Sequence, residues 1–240
     1  MSAVNHESNE NLLLTTLSRK DRQHLLAGCE QVELALAEVL CEPGARIQYV
    51  YFLVDSFVSL VIPVDNHAHL EVQVVGNEGM VGVPLMLGVN VSPLQAVVQG
   101  PGTAIRMPAA TFLREVESSL ALRRRLNRYI YVLLTQLAQT AACNRFHSLD
   151  ARLARWLLMT HDRAHADVFH LTHEVLAHML GVRRVGVTNA AGLLQKNKLV
   201  RYRRGNITVL DRAGLEAMSC GCYRSARNTY ESILGQVNRD

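Results

Sequence analysis

Two adjacent arginines follow a glycine in the stretch LAHMLGVRRVGVTNAAGLL, residues 176–194, and the side chains around them are of the types that read base edges. Arginine can bond bidentately to guanine O6 and N7, and asparagine to adenine N6 and N7. Arg183, Arg184, Thr188 and Asn189 fall on one side of a helix that would begin just past Gly181. Further on, LVRYRRGNITVL sets Arg201, Arg203 and Arg204 around a turn between two β-rich runs, a basic hairpin able to grip a phosphate backbone. Thr172 stands where it would cap the preceding helix and could also donate to a phosphate.

Such residues need two short helices joined at a tight corner to hold them. Leu176, Ala177 and Leu180 would face inward on the first helix, and Val182, Val187 and Ala190 or Ala191 on the second. Gly181 takes the corner, where a left-handed backbone is cheap only for glycine, and small Ala177 lets the helices cross closely. Two details run against the pattern. Arg183 stands where Ser, Thr, Asp or Asn usually caps, and Gly186 inside the second helix should cost roughly 1 kcal/mol relative to alanine. A helical hairpin followed by a β-hairpin also occurs in modules that dock proteins, so a regulatory module whose helical C-terminal part binds a partner protein is the alternative.

The charge distribution favours a polyanion. Residues 1–144 carry 10 Lys and Arg against 13 Asp and Glu, whereas residues 145–240 carry 15 against 8, which together give the chain's net +4. A basic C-terminal part is the electrostatic footprint of a nucleic-acid partner, although an acidic protein surface would also fit. At 240 residues the chain has room for one large or two modest domains, taking about 150 residues each as a prior. No window reaches the roughly 18 uninterrupted apolar residues of a membrane helix, and the N-terminal segment lacks the pattern of a secretory signal, so no membrane association and a cytoplasmic location are expected. The five cysteines, at 29, 41, 143, 220 and 222, are odd in number and mostly isolated, which suits reduced thiols.

Upstream the pattern changes twice. Leu12, Leu13, Leu14 and Leu17 precede Ser18, which would cap a helix over RKDRQHLLAGC. From about residue 32 to 110, short β-rich runs (YVYFLV, FVSLVIPV, LEVQVV, LQAVVQ) alternate with turn signals at Pro43-Gly44, Asp65-Asn66, Gly76-Asn77 and Pro101-Gly102. They predict an antiparallel roll or barrel of roughly 80–90 residues. Past Pro108 the chain turns helical, and Leu126, Ile130, Leu133, Leu137, Thr140 and Asn144 step by alternate fours and threes. Such a stripe either zips two copies of the helix together or packs against the chain's own roll. A further amphipathic helix, LDARLARWLLMTHD, places Leu149, Leu153, Trp156 or Leu157 and Thr160 on one face.

Other constellations carry less. Histidines 161, 165, 170, 173 and 178 invite a metal reading, but no cysteine or carboxylate cluster completes a tetrahedral set in the sequence, so no metal site is expected. Cys220-Gly-Cys222 reads as a packed tail or a redox pair. VVGNEGMVG is glycine-rich but lacks the lysine and spacing of a phosphate loop, and no nucleophile–base pair stands out, so neither a catalytic site nor a cofactor is expected.

An N-terminal roll, a long helix with a self-pairing stripe and a C-terminal winged helix-turn-helix together resemble the Crp/Fnr family of bacterial transcription regulators. The resemblance runs from PGARIQYVYFLVDSFVSLVIPV through GNEGMVGVPLMLG and ARLARWLLMTHD to the stretch that opened this section and its basic hairpin. It implies an α+β fold: an antiparallel β-roll (a double-stranded, jelly-roll-like β-helix) over residues 1–116, a dimerisation helix over 117–147 and a winged helix-turn-helix over 148–240. It also implies a homodimer on a two-fold related site in double-stranded DNA, recognition helices about 34 Å apart, with RNA polymerase as a further partner if the protein activates.

In members of that family that bind cyclic nucleotides, a Gly-Glu pair holds the ribose and an Arg-Ser pair the cyclic phosphate. Here Gly82 is followed by Val83, and Leu94 and Gln95 stand where Arg-Ser would be. A cyclic phosphate buried there would be an unpaired anion, which costs several kcal/mol or more, so tight cyclic AMP binding is not expected and the small-molecule effector stays open. Cys29 and Cys41 lack the closely spaced neighbours of the family's iron–sulfur members. The family's Arg-Glu…Arg reading pattern is kept only at Arg184, with Val185 for the glutamate and Asn189 for the second arginine, which implies a different preferred sequence.

Overall fold

The computed structural model describes residues 10–64, 67–203 and 205–235. Helices α1 (Leu12–Thr15) and α2 (Arg19–Ala27) open the chain, and Ser18 caps α2 by accepting from the Asp21 amide. Strands β1 (Glu30–Leu34), β2 (Val39–Cys41), β3 (Tyr49–Leu53), β4 (Phe57–Val64), β5 (His67–Val75), β6 (Met80–Val81), β7 (Gln95–Gly100) and β8 (Gly102–Pro108) follow. They form two antiparallel four-stranded sheets, in the orders β1-β8-β3-β6 and β2-β7-β4-β5, which is the expected roll. Alternation supplies its core: on β7 Ala96 and Val98 face in while Gln95 and Val97 are partly exposed.

Past Pro108 the helical stretch is two helices, α3 (Ala109–Ser118) and α4 (Leu120–Phe146). Ser119 breaks it with an extended backbone and caps α4 by accepting from the Leu122 amide. Next come α5 (Leu149–Ala164), β9 (Val168–His170), α6 (His173–Leu180), α7 (Arg184–Lys196), β10 (Val200–Arg203), β11 (Asn206–Val209), α8 (Arg212–Met218) and α9 (Cys222–Leu234). No helix among the described residues is long and apolar enough to cross a membrane.

Two large cores organise the molecule. One lies under the roll and the first half of α4 and includes Phe52, Met107, Phe112, Leu126 and Tyr129. The other gathers Leu157, Leu176, Val187, Leu194, Ile207 and Leu215 from α5 to α8, side chains whose full burial stabilises by about 1.5–3 kcal/mol each. The last helix departs from the second unit. It runs back along α4, and Leu234 joins the roll's core while its carbonyl accepts from Arg125 Nη2 at 2.6 Å.

The α4 stripe divides between the two readings that its spacing leaves open. Leu126 and Leu133 are buried in the chain's own core. Thr140 accepts from Arg155, and Asn144 is exposed. What α4 leaves to solvent is an apolar strip of Tyr131, Leu134 and Leu137, at 56%, 61% and 40% exposure.

Candidate nucleic-acid interface

The C-terminal elements assemble as the glycine break implies. Thr172 caps α6, its hydroxyl accepting from the Val175 amide at 3.2 Å. Gly181 turns the corner with φ +63, and a side chain there would also run into Leu70 of β5. Leu176, Ala177 and Leu180 on one helix and Val187, Ala190, Ala191 and Leu194 on the other are buried between them and α5; Val182 is partly buried against the same core. Gly186, an apparent defect in sequence, has a packing reason. A Cβ there would come within 2.9 Å of Leu149 Cδ2, so glycine lets α7 approach α5 closely.

That packing leaves Arg183, Arg184, Thr188 and Asn189 exposed along the opposite side of α7. No side chain caps α7 and no acidic residue occupies its first turn, so its positive dipole end is unopposed. The Thr188 hydroxyl is already engaged: it donates to the Arg184 carbonyl at 3.1 Å and meets His173 Nδ1 at 3.0 Å. Its methyl remains the group free for contact, suited to the thymine C5-methyl rather than to a hydrogen bond.

The basic hairpin is β10 and β11, paired with Arg203 opposite Asn206, and Gly205 between them adopts φ +81. Arg201 and Arg203 are exposed, while Tyr202 between them turns in. Arg204, named among the candidate contacts, lies outside the described residues. A third strand escaped the sequence reading: β9 pairs with β11 and widens the hairpin into a sheet ordered β10-β11-β9. Its three residues are too short to carry a periodicity.

Sequence reasoning also missed the residues that position the wing. Tyr202 donates its hydroxyl to the Leu171 carbonyl at 2.7 Å, its amide donates to Gln195 Oε1 at 2.9 Å, and its ring lies 4.3 Å from the His173 ring. Wing, α6 and α7 are thereby tied around one aromatic. Burial, with Arg184 nearby, pushes the His173 imidazole down from its usual value, which favours the neutral ring.

The unit docks on the roll through a buried acid. Trp156 Nε1 on α5 donates to Glu71 Oε1 of β5 at 2.6 Å, and Ser59 donates to the other carboxylate oxygen. Burial pushes the Glu71 carboxyl up to about 7, against opposing pulls from Ser59, Trp156, Arg163 and Arg155. Nearby, Arg163 pairs with Glu78 at 2.6 Å.

A cavity of about 350 Å³ lies between the roll and α4. Gly82, Val83 and Leu94 line it together with Ile130, Leu134 and Leu137, and among the described residues no lining side chain is charged. Gln95, grouped with them in sequence, faces away and donates to Glu42 at 2.8 Å. Gly82 adopts φ +105 at the start of a 3-10 turn, Val83–Leu87, and a Cβ there would meet Val50 Cγ1 at 2.8 Å.

Residues 151–218 match the profile of the Crp-like helix-turn-helix domain. No curated protein sequence shows significant similarity to the chain. Among solved structures, the chain is similar to a candidate Crp/Fnr-family transcriptional regulator of Eubacterium rectale (18% identity, TM-score 0.68, 87% of this chain and 99% of that one). It is also similar to the c-di-GMP-responsive global regulator CLP of Xanthomonas campestris (15%, TM-score 0.65, 79% and 98%) and to FixK2 of Bradyrhizobium japonicum (14%, TM-score 0.65, 80% and 98%). The resemblance first carried by the roll, the long helix and the glycine break is thus met twice: the chain has the fold of the Crp/Fnr transcription regulators, and its residues 151–218 match a Crp-like helix-turn-helix domain.

Proposed function

We propose that the protein is a homodimeric transcription regulator of Crp/Fnr type that binds a two-fold related DNA site. The observation that carries this reading is the exposed start of α7, where Arg183, Arg184, Thr188 and Asn189 stand together on an uncapped helix end with no acidic neighbour in the first turn. Arg184 and Asn189 read base edges; Thr172, Arg201, Arg203 and Arg204 hold phosphates on either side. Two copies join along the exposed strip of α4, Tyr131, Leu134 and Leu137, which spaces the two recognition helices for successive major grooves.

The effector is an uncharged, largely apolar small molecule in the cavity between roll and long helix, because among the described residues no charged side chain lines the space to pair with a phosphate. Leu134 and Leu137 belong both to the cavity wall and to the exposed strip. A ligand that moves them changes the packing of the paired helices, which is the differential contact an allosteric effector requires. RNA polymerase is the further partner if the regulator activates.

Fragments selected from a random DNA pool by the full-length protein, followed by fluorescence anisotropy across a salt series, test the reading. A selected, sequence-dependent site whose affinity falls with a log–log slope of about −0.9 per phosphate neutralised is expected. Binding indifferent to sequence and to salt would instead favour a protein-docking module.

A further inference from the structure

We propose that Cys143, His147, Cys220 and Cys222 form a tetrahedral zinc site tying the end of the long helix to the link between α8 and α9. In sequence these residues are up to 79 positions apart, yet their four ligand atoms lie within 4.8 Å of one another. Cys143 Sγ is 3.4 Å from Cys220 Sγ, and Cys222 Sγ is 3.5 Å from His147 Nδ1. Zinc held at about 2.3 Å by sulfur and about 2.0 Å by nitrogen gives tetrahedral edges of roughly 3.5–3.8 Å. The four groups therefore need only small shifts to close around an ion.

The local chain explains the convergence. Cys143 lies in the last turn of α4 and His147 is the residue that ends it, its amide donating to the Cys143 carbonyl at 3.1 Å, so the two are held together at the helix end. Cys220 and Cys222 flank Gly221 at the start of α9, which packs back along α4 and brings them over that turn. The three cysteines form a cluster of their own, apart from the apolar cores, with Ala151 as the partly buried apolar neighbour packed on it. Packing is thus a weak reason for three thiols to meet here, and exposed His147 leaves the ion a way in.

The charge also balances. Zn²⁺ displaces three thiol protons and binds the neutral imidazole, leaving a complex of net charge −1 and transferring no electrons. Arg152 and Arg155 both interact electrostatically with Cys143, and each has a buried Nε without a hydrogen-bond partner among the described residues. Soft thiolates with one imidazole select zinc over magnesium, calcium or manganese. Because α5 begins two residues past His147, metal loading would fix the joint on which the DNA-binding unit is carried.

The test uses the full chain, reduced and stripped with a chelator, titrated with Co²⁺ under anaerobic conditions. One Co²⁺ per chain is expected, with the thiolate charge-transfer absorption of a tetrahedral site, displaced by Zn²⁺. Mass mapping after alkylation should show that Zn²⁺ protects Cys143, Cys220 and Cys222, whereas Cys29 and Cys41 react alike with and without metal. Cys29→Ser with Cys41→Ser should keep the spectrum, Cys220→Ser with Cys222→Ser should abolish it, and His147→Ala, at an exposed position, should weaken binding by about tenfold or more. An octahedral spectrum, no thiol protection, or a Cys143–Cys220 disulfide formed in place of metal uptake by the wild-type protein overturns the proposal.

Discussion

The buried carboxyl of Glu71 is expected to make the joint between the roll and the C-terminal helix-turn-helix unit sensitive to pH near neutrality. In the folded chain it holds its proton to about 7, against an ordinary value of 4.5, because burial disfavours the charge more than Ser59, Trp156 and the two arginines relieve it. Between those values the native state binds more protons than the unfolded one, so stability is full below the lower value and declines as pH rises through the upper one. The interval corresponds to roughly 3 kcal/mol, at about 1.4 kcal/mol per pH unit. Glu71→Gln keeps an oxygen for the Trp156 donor and an amide that can donate to Ser59, while removing the titration. Trp156 is the chain's single tryptophan and touches the carboxyl directly, so its fluorescence reports the event without a label. The wild type should titrate with a midpoint near 7 and lose up to about 3 kcal/mol in urea denaturation between about pH 5 and pH 8, relative to the variant. A flat wild-type fluorescence curve, or the same curve in Glu71→Gln, would refute the assignment of a buried, near-neutral carboxyl.

Three further outcomes are expected. Arg184→Ala should cost about 1–3 kcal/mol of DNA affinity and relax preference at one base pair, whereas Arg203→Ala should weaken all sequences alike and flatten the salt slope by about one; anisotropy on a panel of single-base variants separates the two. Leu134→Glu, at a position 61% exposed, should leave folding intact by circular dichroism yet make the protein monomeric in analytical ultracentrifugation, and an unchanged dimer would remove that residue from the interface. Gly82→Ala should destabilise by about 1–3 kcal/mol in urea, since φ +105 and the Val50 side chain both oppose a Cβ; no loss would contradict the geometry.

How much could be read in the sequence follows from range. The two-helix corner was legible because Thr172, Gly181 and the inward residues of α6 and α7 act within a few turns of one another, where helical period and glycine conformation decide the outcome. The roll was legible from its turn signals, although the assignment of strands to two sheets was not. What stayed hidden depends on distant partners. Leu126 and Leu133 have the spacing of a self-pairing stripe, but the roll covers them, and spacing alone does not say what covers a face. Gly186 looked like a weak point until α5 was seen to press on it. Nothing local marks Glu71, because its partner Trp156 stands 85 residues further along the chain. Cys143 and Cys220, 77 residues apart, meet only because α9 folds back along α4.

The most direct test of the whole account is a hydroxyl-radical footprint of the full-length protein on a DNA fragment it has itself selected. Two symmetry-related patches of protection centred about one helical turn apart, on a site with two-fold sequence symmetry, are expected from paired recognition helices. A single asymmetric patch, or no protection on any selected fragment, would contradict it.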